Sequence, residues 1–150
     1  MDAIDRKILS LLQENAKLNT KEIAEKVGLT LSPTFERIKK LEQQQYIKGY
    51  VALVDGGMLG RSITVFCQIS LFKHSKELIE NFKKEVGSLP EIISCHHVSG
   101  NYDFLLKVAV SNMNEYQNFV VEKLSVIQGI SNMQSSFVME EIKNENGWVW

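Results

Sequence analysis

The fold of the first third of the chain is decided by one stretch, KEIAEKVGLTLSPTFERIKKLE, which spans residues 21–42. Its apolar residues recur at the three- and four-residue spacing of amphipathic helices, and the recurrence is interrupted around Gly28. Glycine readily takes the left-handed conformation that ends a helix. Ser32 and Pro33 then offer an N-cap and a first helical residue that needs no N–H. The stretch therefore predicts two helices joined by a short turn.

A further helix precedes this pair. Its apolar stripe consists of Ile4, Ile8, Leu11 and Leu12. Thr20 is the predicted N-cap of the second helix, because the apolar pattern resumes just after it. We therefore expect three short helices in residues 1–50.

The third helix has a polar outer face. An inward stripe of Phe35, Ile38 and Leu41 would leave the charged residues exposed. Hydroxyl groups at a helix N-terminus can meet phosphates or base edges, arginine can bond guanine, and lysine can neutralise phosphate. Glutamate can accept a hydrogen bond from cytosine N4 or form an ion pair with a lysine one helical turn later. The residues that we predict to contact DNA are Ser32, Thr34, Glu36, Arg37, Lys39 and Lys40.

A charged helix face also has a simpler explanation, which is a solvated surface on a three-helix bundle. The short turn before the helix favours DNA binding, because a helix–turn–helix presents its second helix to the major groove.

After residue 50 the apolar period changes. A short strand is predicted at residues 50–54, and glycines at 56, 57 and 60 indicate a flexible connection. Strand patterns follow at 63–72, 92–99, 102–110 and 131–142, and helical patterns at 76–89 and 112–127. The βαββαβ order is that of a ferredoxin-like domain, so the predicted class is α+β. The predicted domains are 1–50 for DNA binding, 51–60 for strand and linker, and 61–150 for the ferredoxin-like unit.

Composition narrows the classes of protein. The chain has 150 residues, of which 44% are hydrophobic, and a net charge of −1, with nine basic against seven acidic residues in the first fifty. No apolar run is long enough to cross a bilayer and the start does not resemble a signal peptide, so we expect a cytoplasmic protein without a membrane partner. Trp148 and Trp150 are expected to dock on the protein.

Catalytic and metal motifs are lacking in the sequence. Cys67 and Cys95 are isolated, and His96 and His97 would point to opposite faces of a strand. There is no nucleophile–base pattern, P-loop or dinucleotide fingerprint. We therefore predict no metal, no cofactor and no enzymatic activity.

Several fragments, in this order, resemble the Lrp/AsnC (feast/famine) regulators. With x for any residue, they are DxxDxxIL at 2–9, EIA at 22–24, VGL at 27–29, ERIKKLE at 36–42, IxGY at 47–50, VSGNYDFLL at 98–106 and MEE at 139–141. The resemblance implies an N-terminal winged helix-turn-helix and a C-terminal ferredoxin-like domain that dimerises and senses small molecules, usually amino acids. It also implies homodimers that often assemble into octamers. Such two-fold dimers suit a pseudo-palindromic operator.

The effector site would lie at residues 100–103. Gly100 permits close backbone approach, so that main-chain N–H groups near Asn101 and Tyr102 can hold a carboxylate while Asp103 faces an ammonium group. A plain hairpin turn is the alternative. By the same resemblance, Met113 and the segment 135–138, which contains Ser135 and Ser136, neighbour the pocket. Another subunit is one source of these residues.

Two further expectations concern Gln45 and the sheet. These regulators commonly place glycine where this chain has Gln45, and a left-handed conformation costs a non-glycine residue about 1 kcal/mol.

The polar outer positions of the strands would lie in subunit interfaces: Gln68, Ser70, Ser94 and His96.

Two other functions remain open on the sequence. Sirohaem decarboxylases resemble these regulators in both halves, but they need cationic or histidine groups for a polycarboxylate, and residues 100–103 contain no arginine. An amino-acid sensor that acts on a protein partner is the other, although the DNA-binding half is intact.

Overall fold

The computed structural model describes residues 1–144 and 147–148. The chain forms two compact units, one comprising Met1–Leu53 with Ile142–Trp150 and the other Val54–Glu141. The described tail residues, 142–144 and 147–148, thus belong to the N-terminal unit, whereas the predicted second domain, 61–150, includes them.

The N-terminal unit contains α1 (Ala3–Glu14), α2 (Thr20–Val27) and α3 (Leu31–Gln43). α1 begins with a reciprocal capping box between Asp2 and Asp5. The predicted cap at Thr20 is wrong by one residue, because Asn19 caps α2 in a second capping box with Glu22. Gly28 ends α2 with φ 73°, as predicted. The small core of this unit is formed by Ile8, Leu9, Ile23 and Leu41.

α3 begins earlier than its sequence signals suggest. Thr30 is at the N-cap position and makes no side-chain cap hydrogen bond, so Ser32 is not the cap. Pro33 is the third helical residue instead of the first. It is tolerated there because the first-turn N–H groups of a helix have no intrahelical partner.

The predicted strand at residues 50–54 is wrong. This segment belongs to no strand in the part of the chain that the structure describes, and Val51 and Leu53 are largely exposed. A strand requires a hydrogen-bonded neighbour, and a single chain supplies none here.

The tail returns to α1 of the same unit. The Gln13 side chain holds the backbone of Trp148 by two hydrogen bonds, accepting from its N–H at 2.6 Å and donating to its carbonyl at 3.2 Å. The expected docking of Trp148 is therefore made by its backbone, because its residue surface is 79% exposed. Trp150 lies outside the described residues.

The second unit confirms the βαββαβ order. Its elements are β1 (Ile63–Leu71), α4 (Lys76–Gly87), β2 (Ile92–His97), β3 (Phe104–Val110), α5 (Met113–Asn118) with a π-helical continuation (Phe119–Leu124), and β4 (Ile130–Phe137). The strands form one antiparallel sheet in the order β2-β3-β1-β4. The predicted ferredoxin-like fold is confirmed.

The sheet has a helix-covered face and an outer face. Alternate β1 residues such as Val65 and Ile69 are fully buried against Phe82 of α4 and Phe119 of the π-helical turn. Strand alternation places the other set on the opposite side. That outer set includes the four predicted polar positions, Gln68, Ser70, Ser94 and His96.

Candidate DNA-binding face and effector loop

α3 is rotated relative to the sequence prediction. Thr34 is fully buried, Leu41 almost so, and Ile38 partly buried, whereas Phe35 is 52% exposed. The inward stripe therefore runs through Thr34, Ile38 and Leu41, and Phe35 is not part of it. The exposed face, which we name the α3 outer face, consists of Leu31, Ser32, Phe35, Glu36, Lys39, Lys40 and Gln43.

Thr34 was predicted to contact DNA, but its side chain is buried and cannot do so. Its hydroxyl donates to the Thr30 carbonyl at 2.9 Å, one helical turn back. A threonine bonded in this way can be buried without an unsatisfied polar atom. Its side chain belongs to the interior of the N-terminal unit.

Arg37 has two ion-pair partners within its own unit. Its Nη1 lies 2.7 Å from Asp2 Oδ2 and 2.7 Å from Asp5 Oδ1, so the guanidinium joins α3 to the start of α1. The two carboxylates raise the pKa of Arg37. The Asp5 backbone N–H, and then Arg37, lower the pKa of Asp2. Arg37 is thus engaged inside its own unit through Nη1, and its bond to guanine stays a prediction.

The C-terminal end of α3 is closed by a Schellman motif with glutamine in the glycine position. Gln45 has φ 59°, so it takes the left-handed conformation that glycine adopts without strain. Its N–H donates to the Glu42 carbonyl at 3.0 Å, and the Tyr46 N–H donates to the Leu41 carbonyl at 3.0 Å. The helix end is therefore regular, and the strain is confined to one residue.

The segment after α3 folds back on it. Tyr50 donates its hydroxyl proton to Glu42 Oε1 at 2.9 Å. Desolvation and the adjacent Glu42 carboxylate raise the pKa of Tyr50 to about 12. The bond fixes the chain as it leaves α3.

In the second unit, the predicted strand bounds 92–99 and 102–110 are wrong, because β2 ends at His97 and β3 begins at Phe104. His97 pairs with Phe104, so residues 98–103 form a six-residue loop between β2 and β3, which we name the effector loop. Gly100 has φ 136°, a conformation that L side chains rarely adopt. The loop is longer than the sequence suggested because the β2–β3 ladder ends earlier.

Asp103 ties the effector loop to the end of β1. Its Oδ2 accepts from the Leu71 N–H at 2.7 Å, and its own N–H donates to the Ile69 carbonyl at 2.8 Å. Oδ1 lies 2.8 Å from Nε2 of His74, whose side chain is 65% exposed. The Leu71 N–H, and then His74, lower the pKa of Asp103. The carboxylate therefore has one internal partner in the backbone and one at the surface.

Asn101 and Tyr102 line a small polar cavity on the outer face of the sheet. The cavity measures about 280 Å³, and its other walls are formed by Gln68, Ser70, Asn132 and Gln134. Sequence reasoning missed the two β4 residues. Alternation with Met133, which packs against the core, would have placed them on the outer face, and the strand register then sets Gln134 opposite Gln68 and Asn132 opposite Ser70.

The remaining predicted effector residues are not brought together in one chain. Met113 begins α5, beyond the far end of β3, which places it roughly 20 Å from the loop. Ser135 faces the helices, where its hydroxyl is hydrogen-bonded to Tyr116, whose hydroxyl also lies 3.2 Å from Cys67 Sγ. Ser136 pairs with Phe66 on the opposite face.

Comparisons with known proteins agree with this architecture. Residues 1–48 match the winged helix-turn-helix DNA-binding family, and residues 64–148 match the Lrp/AsnC ligand binding domain. The chain belongs to the Lrp/AsnC family. Its relatives include the leucine-responsive regulatory proteins of Escherichia coli K12 and Klebsiella pneumoniae, each 38% identical over 146 residues, which is 97% of this chain and 89% of theirs.

Solved structures of Lrp/AsnC-like regulators have the same fold. A transcriptional regulator from Neisseria meningitidis, solved as a complex with L-Met, is 34% identical with a TM-score of 0.95, covering 99% of this chain and 96% of its own. An AsnC family regulator from Agrobacterium tumefaciens is 36% identical with a TM-score of 0.94, covering 99% and 97%. The predicted family, fold class and function as a ligand-responsive transcription regulator are confirmed.

Two features are absent from the part of the Lrp/AsnC chain that the structure describes. No helix there has the length and apolar character needed to cross a bilayer. No three His, Cys, Asp or Glu side chains among those residues are grouped so that they could hold a metal ion.

Proposed function

We propose that this regulator binds double-stranded DNA through the α3 outer face and responds to a free amino acid bound at the effector loop. The observation that carries the DNA half is the exposure of Ser32, Glu36, Lys39 and Lys40 along one side of α3, at the position that a helix-turn-helix presents to the major groove. Thr34 and Arg37 are absent from this set for the reasons given above.

Each exposed residue has a distinct expected role. Ser32 lies in the first turn, where its hydroxyl and the helix N-terminus would meet phosphate or base edges. Glu36 would accept from cytosine N4, and the two lysines would neutralise phosphates on either side of the groove. Because the whole chain carries a net charge of −1, specific binding should depend on this local face.

The amino-acid effector is supported by the L-Met complex of the Neisseria meningitidis relative and by the chemistry of the loop. Gly100 lets a ligand approach the backbone, and Asn101 and Tyr102 bring amide and hydroxyl groups to the polar cavity. The ligand's ammonium group would take the place of the exposed His74 ring at Asp103 Oδ1. Met113 and Ser136 would then be supplied by another subunit.

We further propose that the protein works as a cytoplasmic homodimer that assembles to an octamer, without catalytic activity. The outer face of the sheet carries the partly exposed ring of Phe66 among polar side chains, which suits a subunit interface. A two-fold dimer would present two α3 helices to the half-sites of a pseudo-palindromic operator. The regulators among its relatives support the non-enzymatic assignment.

The DNA half is tested by a gel shift with the DNA upstream of its own coding sequence, competed with unrelated DNA. We expect salt-sensitive specific binding by wild type that is lost in a Lys39→Ala/Lys40→Ala variant. Equal binding to both DNAs would contradict the proposal.

The effector half is tested by thermal unfolding in the presence of each of the twenty amino acids. A ligand that binds only the native state raises the unfolding midpoint. We expect at least one amino acid to do so with wild type and not with Asp103→Ala. A flat response to all twenty would rule out the amino-acid effector.

A further inference from the structure

Phe35 is an apolar side chain on a polar surface. It is the fifth residue of α3 and is 52% exposed, with Leu31, 55% exposed, one turn before it. Glu36 is its neighbour in sequence, and Ser32 and Lys39 lie three residues before and four after it on the same exposed side. An aromatic ring therefore stands within the set of residues proposed to contact DNA.

The interior of the N-terminal unit does not need this ring. Thr34, Ile38 and Leu41 fill the inward stripe of α3, and Thr34 is fully buried. Phe35 instead borders an open cavity of about 490 Å³ between the three helices, together with Ile38 and Lys39. About half of the Phe35 surface is therefore left in water. Covering it with another apolar group would be favourable, because apolar surface would be removed from water.

The chemistry of the surrounding residues selects the partner. An apolar protein surface that covered Phe35 would also have to bury the charges of Glu36 and Lys39, at a large desolvation cost. The major groove instead offers phosphates and polar base edges for those two residues, and one apolar group, the C5 methyl of thymine. Residues in the N-terminal part of a recognition helix are the ones that reach base edges.

We infer that Phe35 recognises thymine in the operator through van der Waals contact with the C5 methyl group. The inference rests on the proposed DNA binding by the α3 outer face and adds a base preference to it. Phe35 has no hydrogen-bonding group, so its contribution is shape-dependent and insensitive to salt, unlike that of Lys39.

The test begins with duplexes selected by the wild-type protein from a random DNA library. Each thymine of the selected site is then replaced singly by deoxyuridine, which removes only the C5 methyl. We expect one thymine in each half-site at which the replacement weakens wild-type binding about fourfold, the value of one buried methyl group.

Three variants assign this effect to the residue. Phe35→Ala should bind the thymine and deoxyuridine duplexes equally, whereas Phe35→Leu should keep part of the preference. Phe72→Ala is the matched control, since Phe72 is 67% exposed and lies in the other unit, and it should keep the full preference. Circular dichroism and the unfolding midpoint check that each variant is folded.

The possible results separate the inference from the proposed function. If no duplex is selected, DNA binding itself fails. If a site is selected but no thymine responds to deoxyuridine, or if the response persists in Phe35→Ala, DNA binding stands and the role of Phe35 is overturned. If Phe35→Ala does not fold, Phe35→Leu decides the case: a reduced deoxyuridine effect in that variant supports the inference, and an unchanged effect overturns it.

Discussion

Arg37 of α3 and Asp5 of α1 are joined by an ion pair of 2.7 Å in which the Asp5 side chain is mostly buried. Asp2 completes the arrangement from the N-cap of α1, again at 2.7 Å. Both carboxylates also take part in the capping box that begins the helix. The pair therefore ties the start of α1 to α3, the helix that carries the α3 outer face.

The first prediction is that Arg37→Ala destabilises the N-terminal unit. Removing the guanidinium leaves two neighbouring carboxylates without their shared partner, so we expect the unfolding midpoint to fall by roughly 2–4 °C. Thermal unfolding followed by circular dichroism measures this shift. An unchanged midpoint together with lost DNA affinity would instead support the predicted contact of Arg37 with DNA.

The second prediction is that Lys39→Ala weakens DNA binding without changing stability. Loss of one phosphate contact should lower the slope of log affinity against log salt by about 1. Binding titrations at several salt concentrations give the slope. Lys84→Ala is the control, because Lys84 is an exposed lysine on α4 in the other unit and should leave the slope unaltered. Equal slopes for wild type and Lys39→Ala would exclude the contact.

The third prediction concerns the end of α3. Gln45→Gly should raise the free energy of unfolding by up to about 1 kcal/mol, because glycine takes the left-handed conformation without the steric penalty. Denaturant unfolding measures the change. Gln44→Gly, at the preceding residue with φ −81°, is the matched control and should not stabilise the protein. A destabilised Gln45→Gly would mean that the side-chain bond to the Glu42 carbonyl outweighs the strain.

The fourth prediction is a pH dependence that arises from Asp103. The pKa of Asp103 is lowered in the folded state, chiefly by the Leu71 N–H, from its ordinary value of 3.8. Its contribution to stability is therefore complete above that value and is lost as pH falls through the lower folded pKa. We expect Asp103→Asn to unfold a few degrees below wild type at neutral pH.

The difference between the two proteins should then shrink below about pH 4, because wild type loses the contribution that the variant never had. Unfolding midpoints measured from pH 7 to pH 2 test this. A difference that stayed constant over the whole range would show that Asp103 acts through packing and not through its charge.

Much of the architecture could be predicted because periodicity and punctuation are local. The helical spacing of apolar residues in the first fifty positions predicts three helices. The strand and helix patterns after residue 60 predict the βαββαβ order. The rotation of α3 could not be read in the same way. Phe35 is more apolar than Thr34, and only the bond from Thr34 to the Thr30 carbonyl makes the smaller residue suitable for the interior.

The surroundings of several predicted site residues depend on contacts between distant parts of the chain. Arg37 looks like a surface cation until α1 brings Asp2 and Asp5 to it. The effector loop was located by its GNYD sequence, but its length follows from where the β2–β3 pairing stops. Asn132 and Gln134 join the cavity only through the register of β4 on β1.

The bond between Gln13 and Trp148 makes the N-terminal unit discontinuous in sequence, with one part at each end of the described chain. A fragment limited to residues 1–53 would leave Gln13 without its partner, so excision of the helices alone does not reproduce the unit. The bonded groups of Trp148 are those of the main chain, which every residue possesses. A chimera that joined these helices to the sensor domain of another regulator could therefore keep the connection with a tail of different sequence.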